Sequence, residues 1–151
     1  MKKFFTVIPL QKKGQLTPYI YAPIGNEKLR YDKKINFPIL SALHGYAEEG
    51  ETVSVIAVGT DNDDVKNNLE LLKEQLDAVC KENGCKAEVT PVFVPAGEQV
   101  DNHIATFQKL IDLVEDEDEL FACLTFGTKL MSEVLRMAVQ YALSIVLLPS
   151  S

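Results

Sequence analysis

The chain has 151 residues, 46% of them hydrophobic and 25% charged, a balance that suits one soluble domain able to bury its own core. A net charge of -7 argues against general DNA or other nucleic-acid binding, and no apolar stretch approaches the length needed to cross a membrane. Three cysteines (Cys80, Cys85 and Cys123) and two histidines (His44 and His103), in no paired motif, argue against a zinc site and point to reduced thiols and a cytoplasmic protein.

In chain order, the opening "MKKFFTVIPLQKK" faintly imitates a secretory signal. Its apolar run stops at Pro9 and Lys12-Lys13 with no small-residue cleavage site, so it reads as a first strand, Phe4 to Leu10. A long connection follows, residues 11 to 35, which includes "PYIYAPIGNEKLRYD". It is expected to act as a lid or to form a hairpin insertion turning at Gly25-Asn26. Residues 1 to 37 hold eight basic and two acidic side chains, so this quarter is expected to bring positive charge above the mouth of the sheet; solvating lysines are the plainer alternative. A short helix is predicted over Pro38 to Ala47, with Asn36 near its cap and Gly50 just past its end.

Thr52 to Val58 reads as a second strand, and its nearly continuous apolar run suits a parallel strand covered on both faces. The spacing of Val65, Leu69, Leu72, Leu76 and Val79 predicts a helix entered through the acidic turn "DNDD" and stopped at Gly84. Ala87 to Val94 is the third strand, and Val100, Ile104, Phe107, Ile111 and Val114 mark the next helix. Asp101, Asn102 and His103 open that helix, either as a capping cluster or as side chains within reach of a ligand. "EDEDE", Glu115 to Glu119, lacks the alternating ligands and central glycine of a calcium loop and reads as a solvated turn. Leu120 to Thr125 and Ser144 to Leu148 complete five predicted strands.

This order of elements predicts a single α/β domain over residues 1 to 151: a Rossmann-like, doubly wound, mostly parallel five-stranded sheet with helices on both faces. In such sheets ligands bind beyond the carboxyl ends of strands at the topological switch point. That rule selects Pro9, Leu10 and Gln11 after the first strand, and Thr125 with Phe126-Gly127-Thr128-Lys129 after the fourth. Lys129 stands where a helix should begin, which is unfavourable for a cation unless an anion accompanies it. Neither a Walker loop nor a dinucleotide fingerprint is present. Gly127 permits close backbone approach, Thr128 offers a hydroxyl and Lys129 a point charge; a plain strand-to-helix turn with an exposed lysine is the alternative.

Gly127, Thr128, Lys129, Leu130 and Met131, following a strand and opening a helix, resemble the fourth-strand motif of CARF domains, the CRISPR-associated Rossmann folds. The block "HIATFQKLIDLVEDEDELFACLTFGTKLMSEVLRMAVQYA" is similar to CARF-containing proteins in wording as well as spacing. The resemblance implies a homodimer that binds a cyclic oligoadenylate, the messenger of type III CRISPR defence. It further implies that the Gly-Thr-Lys turn grips the ring phosphates and that the loop after the first strand completes the pocket. Phe126 departs from the further glycine of many members, and Pro9-Leu10-Gln11 supplies no hydroxyl where ring-cleaving members often have one.

Leu130, Val134, Met137 and Tyr141 form one apolar stripe on the last helix, and Met131, Leu135, Ala138 and Ala142 a second, so that one can cover the sheet and the other a partner copy. The messenger expected is the four-membered ring, and an effector domain, fused or separate, is expected to act downstream. Two alternatives stand beside the sensor: a metal-independent ring nuclease in which Lys129 steadies phosphoryl charge, and a generic Rossmann-like module for a nucleotide or protein partner. None of these readings calls for a cofactor or metal.

Overall fold

In a computed structural model of the chain, residues 1–12, 16, 18, 27–95, 100–123, 133–138 and 145–148 are described. The elements are β1 (Lys2–Val7), a 3-10 turn (Glu27–Leu29), α1 (Ile39–Tyr46), β2 (Thr52–Thr60), α2 (Asp63–Asn83), β3 (Lys86–Val94), α3 (Val100–Asp112), β4 (Glu119–Cys123) and β5 (Ile145–Leu148). Residues 133–138 are helical. The strands lie in the order β3-β2-β1-β4-β5 and every neighbouring pair is parallel.

Alternation along each strand sends side chains to opposite faces, and here both faces are covered. Phe4, Val53, Val55, Ala57, Phe121 and Cys123 meet the apolar stripes of α1 and α2 in one core. Phe5, Val7, Ile56, Val58, Leu120 and Ala122 meet α3 and the helical residues 133–138 in the other. The continuous apolar strands noted in the sequence therefore have a cause: alternate residues belong to different cores. Phe4 and Phe121 are register partners on β1 and β4, and their rings stack at 4.5 Å with an 11° interplanar angle. Tyr46, closing α1, tilts against Phe121 at 4.8 Å.

β3 pairs only with β2, and this edge position explains how Pro91 can sit within a strand, since no neighbour asks for its missing N–H. β1 leaves the regular ladder at Val7, shorter than its predicted span to Leu10. Ile8 still donates to Val58 O at 2.7 Å, but Pro9 has no N–H to continue.

α2 begins and ends as its sequence dictates. Asn62 accepts the Val65 N–H at 2.8 Å, and Gly84 closes the helix in the left-handed region at φ 72°, where an added Cβ would also lie 2.9 Å from Glu49 Cγ. α1 differs from its predicted start. Pro38 occupies the cap with no side-chain hydrogen bond, and Asn36 is instead buried against α2. On the last helix Leu135 and Ala138, from the second predicted stripe, pack into the core beneath. From the first stripe, Val134 is buried while Met137 is 53% exposed.

The hairpin predicted around Gly25-Asn26 lies outside the described residues. Where the same connection is described again it is anchored, with Tyr31 and Ile35 inside the first core. Among the described residues no helix is long and apolar enough to cross a membrane.

Because Phe121 is fully buried and stacks on one aromatic ring while a second tilts against it, Phe121→Ala should cost about 3 to 5 kcal/mol of stability. Urea denaturation followed by circular dichroism would read that loss as a lower midpoint at an unchanged slope.

Candidate functional site

The chain runs from β1 to β2 on one side and returns later to β4 on the other, so the switch point lies between the carboxyl ends of β1 and β4. Ile8, Pro9, Leu10 and Gln11 leave the sheet there. Ile8 and Pro9 are buried, Gln11 and Lys12 are exposed, and Leu10, a large apolar side chain, is 42% exposed. Gly59 near the end of β2 makes room beneath this exit, since a Cβ on it would meet Val65 Cγ1 at 2.5 Å and Ile8 Cβ at 3.3 Å.

The exit is held by a side chain that the sequence reading passed over. Asn68 of α2 is 3% exposed, and its Nδ2 donates to Pro9 O at 2.9 Å and to Gln11 O at 2.8 Å. One amide group thus satisfies two carbonyls that flank Leu10. Seven residues on, Gln75 accepts the Asn36 N–H at 3.0 Å and donates to Asn36 Oδ1, while Asn36 Nδ2 reaches Leu16 O at 3.1 Å. Two amides on the inward face of α2 therefore hold both ends of the long connection. The signal was present in the pattern: Asn68 and Gln75 fall beside Leu69 and Leu76 on the apolar stripe, where a polar residue needs a buried partner.

Thr125, Phe126, Gly127, Thr128, Lys129 and Met131, the predicted residues after β4, lie outside the described residues. His103 is half-buried in the first turn of α3, beyond the edge strand β3 and so two strands removed from β1. Asp101 and Asn102 share that turn, and their side chains are outside the described set. Pro9, Leu10 and Gln11 are together at the switch point. Asp61, Asp63 and Asp64 lie at the carboxyl end of β2, where Lys66 pairs with Asp61 at 3.3 Å and lies 5.7 Å from the centre of the Phe93 ring.

Much of the described part of the basic quarter lies away from this mouth. Parallel topology puts the last turns of α1 and α2 at the opposite, amino edge of the sheet, and four of the eight basic residues are engaged there. Lys2 donates to Tyr46 O at 2.8 Å and to Glu51 at 3.1 Å. Lys3 pairs with Asp118 at 2.7 Å and also donates to Leu113 O. Lys28 lies over the Tyr46 ring at 5.1 Å, and Lys33 pairs with Glu82, which also accepts from Tyr31 Oη at 2.7 Å. Of the predicted basic cluster, Lys12 is the described residue that directly follows the mouth segment. Glu51, Asp118 and Glu82 are the acidic partners that draw Lys2, Lys3 and Lys33 to the amino edge.

The turn "EDEDE" is also more than a solvated turn. Glu115, Asp116 and Glu117 are exposed, but the Asp118 side chain is only 3% exposed, with the Met1 amino group 3.3 Å away. Burial alone would raise its pKa. The hydrogen bond from Lys3, the Glu115 N–H and the Lys3 charge prevail and hold it below the ordinary aspartate value. Glu51 is lowered in the same way, burial being overcome by the Glu48 N–H and Lys2. His44 packs against Tyr31 at 4.7 Å, in keeping with a structural role. Burial first, then the Cys85 thiol and the Asp77 charge, push Cys80 up to about 12, so that it stays protonated and unreactive.

Among the described residues, no three His, Cys, Asp or Glu side chains cluster as a metal site requires. At the β1 exit Pro9, Leu10, Gln11 and Asn68 offer shape, an apolar side chain and satisfied carbonyls, while Asp61, Asp63 and Asp64 bring carboxylates to the end of β2. No protein-family model matches the chain, and no curated protein matches it.

A carboxylate with a depressed pKa stabilises the fold in full above its unfolded value of 3.8, and that contribution disappears as pH falls through the lower folded value. Asp118→Asn should therefore lower the urea midpoint at pH about 7 and leave it less dependent on pH between about 4 and 2 than in the unmodified protein. Glu51 would supply the residual slope.

Proposed function

We propose that this chain is a CARF-like sensor domain that binds a cyclic oligoadenylate at the switch point between β1 and β4 and acts as a homodimer in type III CRISPR defence. The observation that supports this reading is the parallel β3-β2-β1-β4-β5 order, which puts the topological switch point, where ligands of such sheets bind, between the carboxyl ends of β1 and β4. The second of those exits leads into Phe126-Gly127-Thr128-Lys129, the segment whose wording resembles CARF domains.

The charge distribution narrows the pose. Asp61, Asp63 and Asp64 make the β2 side of the mouth repulsive to phosphate, so the ring phosphates belong on the β4 side with Thr128 and Lys129. Leu10 and Gln11 then face the bases. A dimer would present these turns twice, which matches a four-membered ring of two-fold symmetry. Met137, exposed on a helix whose other apolar residues Val134, Leu135 and Ala138 are buried in their own domain, is the described residue assigned to the seam. Binding is put before ring cleavage because Pro9-Leu10-Gln11 carries no hydroxyl directly after β1, where ring-cleaving members of the resembled family often have one.

Incubating the protein with labelled cyclic tetra-adenylate and following retention and cleavage together separates sensor, nuclease and unrelated module. Retention of intact ring is expected. Lys129→Ala should weaken binding by more than about tenfold, from loss of a charge-assisted contact of about 1.5 to 3 kcal/mol per site, without loss of stability. Unchanged affinity on folded protein, measured by calorimetry, would remove Lys129 from the site. Sedimentation at a protein concentration on the order of tens of micromolar should give a dimer mass, and Met137→Lys should shift it toward the monomer.

A further inference from the structure

We infer that Asn68 is the positioning residue of the mouth: its buried amide fixes the backbone on both sides of Leu10 and thereby displays Leu10 as an apolar platform for a flat nucleobase. The platform half of this inference rests on the proposed nucleotide site, whereas the clamp half stands on geometry alone.

Pro9 ends the β1 ladder because it has no N–H, and the carbonyls that follow have lost their strand partners. Nδ2 of Asn68 meets the two that matter, Pro9 O at 2.9 Å and Gln11 O at 2.8 Å, from a side chain that is itself 3% exposed. Both hydrogens of one planar group are used, so the two carbonyls are tied to a common point and the residue between them is pushed outward. That residue is Leu10, 42% exposed, beside a floor of buried Ile8 and Pro9. An apolar side chain held in water by a buried polar clamp costs stability from both directions. A simpler arrangement would have placed a polar residue at position 10, or an apolar one at 68. The pairing makes sense if the exposed leucine has a face to cover.

That face is expected to be uncharged. Among the described residues Lys12 is the cation that adjoins Leu10 in sequence, and one of the two neighbouring strands, β2, leads into acidic Asp61, Asp63 and Asp64. A planar, neutral base suits such a surface, while phosphates do not.

The test uses Asn68→Leu, which keeps the branched shape and removes both donors, with Asn68→Asp as a second variant of the same size should the first not fold. Trypsin cleavage after Lys12, adjoining the clamped segment, reads the clamp. Calorimetry with cyclic tetra-adenylate reads the platform. The expected result is cleavage at least about tenfold faster, and affinity lowered by about tenfold, at temperatures where urea titration shows the variant folded. Leu10→Ser should lower affinity without moving the urea midpoint, and Leu10→Phe should retain it, a split that a purely structural role for Asn68 does not produce.

Unchanged cleavage at Lys12 in a folded Asn68 variant overturns the clamp, whether or not any ligand binds. Faster cleavage with unchanged affinity, or full affinity in Leu10→Ser, overturns the platform and leaves the proposed site standing. If the unmodified protein binds no cyclic tetra-adenylate, the proposed function and the platform fail together, and the cleavage rates still decide the clamp.

Discussion

Everything in this fold follows from the pairing of β1 on both edges with parallel neighbours. A strand in that position has its backbone groups satisfied by β2 and β4, so its side chains must be apolar on both faces, and Phe4, Phe5, Val7 and Ile8 comply. Parallel partners also forbid a tight hairpin. The chain has to leave by the carboxyl end of β1 and return to the amino edge to start β2, which requires a long crossover. The same requirement, repeated at β4, leaves two exits diverging from one edge of the sheet.

The two edges are then built with different chemistry. At the amino edge the side chains are charged and paired: Lys2 with Glu51, Lys3 with Asp118, Lys33 with Glu82. The first two tie β1 to the turns that precede β2 and β4, and the third ties the connection after β1 to the last turn of α2. At the carboxyl edge the segment after β1 is held by neutral amides, Asn68 of α2 on Pro9 and Gln11, with Gln75 of the same helix bonded to Asn36 near the far end of the connection. A neutral clamp leaves the mouth without the local charge that a buried ion pair would impose.

Cys80 is held protonated by burial, and Pro9, Leu10 and Gln11 at the β1 exit carry no titratable side chain. The CARF-like reading gives this arrangement a purpose: a ring ligand spanning two copies needs several weak, well-placed contacts more than one reactive group. Phe126 and Leu10, both apolar at predicted contact positions, would make such contacts with bases.

By itself the sequence determined the layers of this protein. Strand and helix succession, the stripe of α2, its cap at Asn62 and its stop at Gly84 are local consequences of period, capping and left-handed glycine, and each could be written from neighbours within a few residues. The switch-point exit at Pro9 to Gln11 was legible for the same reason, because succession implies topology. What only the tertiary structure decided were partnerships across large separations. Asn36 left its predicted cap for Gln75, Asp118 left solvent for Lys3, and three of the lysines expected above the mouth, Lys2, Lys3 and Lys33, went to acidic groups at the opposite edge. Asn68, hidden in an apolar stripe, found carbonyls more than fifty residues away. A polar side chain's choice of partner depends on which groups burial brings within about 3 Å of it, and that is a property of the packed chain rather than of its local pattern.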